Sequence, residues 1–368
     1  MIQTNRRQLF YLCALGLWGL WGFAAFNGMF DRLNTVMETR VMPDGRQLRD
    51  TYSGNAFLDE RLTLLSAFYE VLSNDFSSGP RLLFFDINFV VACTNLWALI
   101  ESRRLGVRNA FLKWPVWAMI LWNANGAAIV QPLFFYLLCK SKTRLRSTAI
   151  PTNDARALFI ATFAILLSPL LIFAPAWANS PTSGHHGSIA YFHYSPVFVL
   201  GLFLATSSLL PTKPSSGRAI EAAKESKKWI VLSLILAGIT SAAVHIYTVV
   251  SALISRDPDI SLLRLFVPIR ATTDPIYSLP VASKSLVPEY AALLENLHLF
   301  SQYDWIVVTM SCIVFTHTLL SRRDGEDKPK EIVSREETRE LAYLSVATLL
   351  LGPGAAGSFA LAIREARI

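Results

Sequence analysis

Charge is scarce in this chain: Asp, Glu, Lys and Arg make up 17% of the residues, whereas 52% are hydrophobic and the mean hydropathy is positive. A soluble fold of this length would need far more polar surface, which excludes the two soluble domains that the length alone would suggest. Cysteine is scarcer still. Cys13, Cys93, Cys139 and Cys312 all fall in or at the end of apolar stretches with no C-x-x-C spacing. That excludes a disulfide framework and points to free thiols. No P-loop, G-x-S-x-G or H-E-x-x-H is present, and the acid runs DDxxD, NDxxDxxxD and DxDD are missing as well. The chain is therefore expected to hold no metal and no cofactor, and not to handle phosphate through a bound cation. The histidines agree with this, since His185 and His186 are placed in a turn, His193 at the start of a span, and His245 and His317 alone in separate spans.

What the chain has in abundance is long hydrophobic runs. Eight apolar stretches, most of 19 to 27 residues and closed off by charge or proline, lie at 8–30, 82–100, 114–138, 157–177, 191–210, 229–253, 305–320 and 341–363. Such lengths suit a hydrocarbon core about 30 Å thick. The expected fold is an all-α polytopic membrane protein, a single transmembrane helical domain (1–368) with about eight transmembrane helices. Residues 31–80 and 255–303 are expected as non-spanning polar or amphipathic loops, with Leu62–Leu72 suited to the membrane surface or to capping the bundle. The first run is too long for a signal peptide and lacks a small-residue cleavage site, so it reads as a retained anchor. The formal charge of +7 lies in short clusters flanking the spans, which fits topogenic signals and anionic lipid rather than nucleic acid. Basic connections at 139–156, 211–228 and 321–339 should be cytosolic. Arg6-Arg7 and the basic loop 103–113 cannot also be inside with eight simple crossings. Either one basic loop lies on the wrong side, or 114–138, broken by Asn123, Asn125, Gly126 and Pro132, is a re-entrant segment beside seven crossings.

Ionisable groups inside apolar spans are the places to look for function. Asp86 sits one turn into a span in LLFFDINFVV, where a bare carboxylate costs several kcal/mol unless it is paired, hydrated or protonated. A helix cap or a pair with Arg81 is the plainer explanation. Asp304 sits in LENLHLFSQYDWIVVTM between Tyr303 and Trp305, near Glu295, His298 and Gln302. Its plainer explanation is the N-cap of the following helix. Whether Asp304 pairs with Asp86 or with Glu101 depends on whether 114–138 crosses.

Three segments carry a resemblance: LWALIESRRLG (96–106), WNANGAAIVQPLFFYL (122–137) and LFSQYDW (299–305), in this order after an N-terminal anchor. The chain resembles the fungal integral-membrane terpene cyclases of meroterpenoid and indole-diterpene biosynthesis, of the macrophorin and ascochlorin type. The resemblance implies a metal-independent cyclisation started by protonating an epoxide or alkene on a prenylated substrate. The partners would be a lipophilic prenylated small molecule and membrane lipids, in the endoplasmic reticulum. The initiator of such a reaction is a carboxylic acid that keeps its proton, and apolar surroundings favour the neutral form. Asp304 is the leading acid and Asp86 the next, with Glu101 and His298 as candidate bases or hydrogen-bond partners. Tyr303, Trp305, Asn123, Asn125, Gln131, Trp97 and Trp122 are the candidate substrate-binding residues. The nine Trp, eleven Tyr and 23 Phe offer ring faces to a carbocation. A transporter of a hydrophobic metabolite and a non-catalytic membrane scaffold are the alternatives, the first disfavoured by the lack of evident internal symmetry.

Overall fold

The computed structural model describes residues 2–74, 78–105, 107, 109–142, 149–211, 219–257, 260–268, 287–321 and 335–367. Among them the regular structure is helical, with one isolated β-bridge between Val41 and Gln47. Much of the three basic connections, and of 255–303, lies outside the described residues.

The first apolar run starts as α1 (Ile2–Leu17) and continues through a π-helical turn, Trp18–Gly22, to Phe26. Two helices follow where a polar region was expected: α2 (Met29–Thr39) and α3 (Ala56–Ser73). The side chain of Asn55 accepts the N–H of Leu58 and so caps α3. The central helix is α4 (Ser78–Ser102), most of whose apolar length is buried inside the protein.

Around α4 stand α5 (Val116–Asn125), α6 (Ala127–Lys142), α7 (Thr152–Leu167, continued by Leu170–Trp177), α8 (Thr182–Leu209) and α9 (Ala219–Ile254). The short α10 (Leu262–Phe266), α11 (Pro288–Leu320), α12 (Arg335–Leu351) and α13 (Pro353–Arg367) complete the bundle.

Among the described residues six helical stretches are long and apolar enough to cross a bilayer: Arg7–Phe26, Gly79–Ser102, Thr152–Trp177, Thr182–Leu209, Ile220–Ile254 and Pro288–Leu320. Two of the eight expected spans differ because a glycine interrupts each. Gly126, at φ 92°, ends α5 after ten residues, and Gly352, at φ 84°, separates α12 from α13. Ten helical residues rise about 15 Å, roughly half the hydrocarbon thickness. Neither glycine can be replaced without strain, since a Cβ at Gly126 would meet Leu20 and one at Gly352 would meet the His245 ring. The run 352–357 spells G-x-G-x-x-G, but it joins helix to helix and lacks the strand-to-helix setting that a dinucleotide-binding loop requires.

Three placements correct the sequence reading. His185 and His186 are buried in the first turns of α8, not in a turn: His186 Nε2 meets Glu70 at 2.6 Å and His185 Nε2 meets the Ile172 carbonyl at 2.8 Å. Residues 288–303 form the buried first half of α11. Asp304 therefore lies at mid-helix rather than at a helix start.

Candidate active site

The π-helical turn, α2, α3, α4, α5, the start of α6 and α11 enclose a cavity of about 150 Å³. Helices α2 and α3 form its roof, contributing Phe30, Leu33 and Asn34, and Leu64, Leu65, Phe68 and Tyr69 respectively. Asn34 is exposed and marks the rim. A line of rings runs around the wall: Phe30 stacks on Trp21 at 5.7 Å, and Trp21 meets Phe300 edge-on at 6.2 Å. Phe300 meets Phe68 at 5.1 Å, Phe68 meets Tyr69 at 5.8 Å, and Tyr69 meets Phe84 at 5.0 Å. Trp122 closes the wall, its Nε1 donating to Asn95 Oδ1 at 3.0 Å. The π turn widens the helix by one residue and carries Trp21 to the Asn125 carbonyl, to which its Nε1 donates at 3.1 Å.

Asp304 is the single carboxyl group among the lining residues. The cap expected of it is real, but it caps a different helix. Its Oδ1 accepts the N–H of Ala128 at 2.5 Å, with the N–H of Ala127 beside it, so it sits on the N-terminus of α6. Chain breakage at Gly126 makes this possible, because it leaves the first N–H groups of α6 without intrahelical partners. Partial positive charge there stabilises a carboxylate.

Asp86 does not share the cavity. Phe84, Ile87, Asn88 and Val91 of α4 line it, and at 100° per residue Asp86 falls on the opposite face. There it is fully buried, its Oδ2 bonded to His245 Nδ1 at 3.0 Å and to Trp305 Nε1 at 2.9 Å. Its Oδ1 has no hydrogen-bond partner among the described residues. Trp305, expected beside the substrate, instead serves this pair and packs on Phe266 at 4.7 Å.

Glu101 is likewise removed from the cavity. Arg104 binds both of its oxygens at 2.9 Å, Arg364 donates to Oε1 at 2.9 Å, and Arg104 also reaches Glu365 at 2.7 Å. This two-acid, two-base knot fastens α13 to the end of α4. Glu101→Gln is expected to lower stability by about 2 kcal/mol, the scale of a lost hydrogen bond to a charged group. Thermal unfolding in detergent measures it, and turnover per folded molecule should stay near that of the parent.

His298 and its neighbours form another structural contact. Glu295 pairs with Arg264, His298 Nε2 bonds the Arg264 carbonyl at 3.0 Å, and Gln302 Nε2 reaches the carbonyls of Arg264, Leu265 and Val267 at 2.8 to 3.2 Å. One face of α11 thus holds the C-terminal carbonyls of α10, opposite the face that carries Phe300 and Asp304. Of the remaining candidates, Asn123, Asn125 and Trp122 line the cavity, whereas Tyr303, Gln131 and Trp97 do not. Tyr303 stacks on Phe23 at 4.9 Å, Gln131 Nε2 meets Cys312 Sγ at 3.6 Å, and Trp97 Nε1 donates to Ser358 at 2.9 Å.

Residues the sequence reading missed are Trp21, Phe68, Tyr69, Phe84, Asn88 and Phe300. The i, i+4 pair Phe84 and Asn88, with Ile87 and Val91, was a findable face.

The CtvD domain description matches residues 5–368. The chain is 59% identical to terpene cyclase DEP1 of Fusarium langsethiae over 370 residues, covering 100% of both chains. It is 58% identical to terpene cyclase DEP1 of Alternaria brassicicola over 371 residues, again covering 100% of both. To terpene cyclase alnG of Emericella nidulans it is 26% identical over 365 residues, covering 96% of this chain and 92% of that one. No solved structure matches the chain. A match along all but the first few residues makes this chain a member of the CtvD-domain family.

Proposed function

We propose that this membrane-bound terpene cyclase starts ring closure by protonating the terminal epoxide or alkene of a prenylated lipophilic substrate, with Asp304 as the acid. The observation that carries this reading is a lone carboxyl group in a cavity walled by aromatic rings. The N–H of Ala128 donates to Oδ1, so in the acid form the proton belongs on Oδ2. Proton transfer to the epoxide oxygen, or to the alkene carbon, leaves a carboxylate held by the N-terminus of α6. Electrons of the neighbouring double bonds then close the rings. Each passing cation meets ring faces worth about 0.5–2 kcal/mol apiece. The last cation gives up a proton to water, and water returns one to the Asp304 carboxylate, so the product is an isomer of the substrate and the acid is regenerated. The reaction needs no metal, and the endoplasmic reticulum is the membrane we assign to it.

Product analysis tests this. Microsomes carrying the protein, given a farnesylated phenolic epoxide or its alkene precursor, should release a cyclised isomer of unchanged mass, equally well with excess EDTA. Chelator-sensitive turnover, or a product of altered mass, would overturn the reading.

A further inference from the structure

The cavity has a second polar pole that the acid chemistry leaves unused. Asn123 is 7% exposed and lines the cavity, yet its Nδ2 has no hydrogen-bond partner among the described residues. Its backbone is well held, since the Asn123 carbonyl accepts the Tyr69 hydroxyl at 3.1 Å. Asn88, 6% exposed and also in the lining, spends its Nδ2 on the Phe84 carbonyl at 2.7 Å. Its Oδ1 accepts no hydrogen bond among the described residues. An unpaired amide N–H in an apolar interior is costly, on the order of 1–3 kcal/mol, so Asn123 Nδ2 calls for an acceptor from a ligand, and Asn88 Oδ1 in the same lining has capacity left to accept from that ligand.

Charge narrows the ligand. Among the lining residues there is no Lys, Arg or His, and the one charged type is the acid itself. A diphosphate or carboxylate head would enter with nothing to neutralise it. We propose that Asn123 and Asn88 dock the substrate's head as a neutral oxygenated ring, Asn123 Nδ2 donating to a carbonyl oxygen and Asn88 Oδ1 accepting from a hydroxyl.

This inference rests on the cyclase reading above, and its test separates the two. Two substrates are compared: a farnesylated hydroxyphenyl ketone epoxide, and the ring-free epoxide of the same chain. Asn123→Leu and Asn88→Leu should raise KM for the ringed substrate at least tenfold, and lower kcat/KM for it at least tenfold more than for the ring-free one. The hydroxyphenyl ketone without its prenyl chain, titrated against the tryptophan fluorescence of protein in nanodiscs, should show the same tenfold loss of affinity. The apparent melting temperature of unliganded Asn123→Leu should stay level or rise, because an unsatisfied amide has been removed. Asn123→Ser, small and polar, serves where leucine does not fold. Equal losses on both substrates, unchanged affinity for the ring, or a lowered melting temperature of Asn123→Leu would overturn the head site. If the variants lose ring binding while the parent cyclises neither substrate, the head site stands and the protonation reading falls.

Discussion

Asp304→Asn is expected to lower cyclisation by about 10²- to 10⁴-fold, the usual contribution of a positioned general acid, with expression and melting behaviour close to those of the parent. The substitution keeps the shape and an oxygen able to accept the Ala128 N–H, so the cap on α6 survives. What it removes is the transferable proton, and the cavity lining offers no other carboxyl group. Asp304→Glu is expected to recover part of the activity, because an acid remains while the extra methylene moves it off the α6 N-terminus. Measurement is product formed per folded protein at matched expression. Retention of more than half the parent turnover in Asp304→Asn would place the acid elsewhere.

That Asp304 needed an explanation was legible in the sequence, because a carboxylate at an apolar run must be paired, capped or protonated, and Asn123, Asn125 and Gly126 marked a break within the run 114–138. The partner of its cap was not. Capping was assigned to its own helix, since sequence shows a local start signal but not that α6, some 176 residues earlier in the chain, would present its first N–H groups. Helix class was similarly accessible from hydropathy, whereas the number of uninterrupted spans turned on two glycines with positive φ. Glu101 looked like a functional acid for the same kind of reason. The arginine and glutamate that bind it up are Arg364, 263 residues away, and Glu365, reached through Arg104. Long-range pairing of this sort leaves no periodic trace. Tyr69 and Trp21 were missed because nothing local marks an aromatic as a cavity wall rather than as packing.

The face of α4 that carries Asp86 gives the second large prediction, one of stability rather than chemistry. Removing one member of a buried charged pair strands the other, at a cost of about 3–5 kcal/mol. His245→Leu should show this loss, since Asp86 would keep only the Trp305 N–H and already has one oxygen without a partner. Asp86→Asn should cost less, because an amide oxygen can still accept from Trp305 and stay within hydrogen-bond reach of His245. The double variant Asp86→Leu/His245→Leu should recover most of the loss, the residual being the stranded Trp305 N–H. Unfolding in detergent, analysed as a double-mutant cycle, reads the coupling. Turnover of the folded fraction decides the role of Asp86. It should fall by no more than several-fold in Asp86→Asn, because that side chain points away from the cavity and touches the chemistry only through Trp305, the residue next to the acid. A loss as deep as that of Asp304→Asn in a normally folded Asp86→Asn protein would show that both carboxyl groups act on the substrate, and that the two faces of α4 communicate more directly than a tryptophan N–H allows.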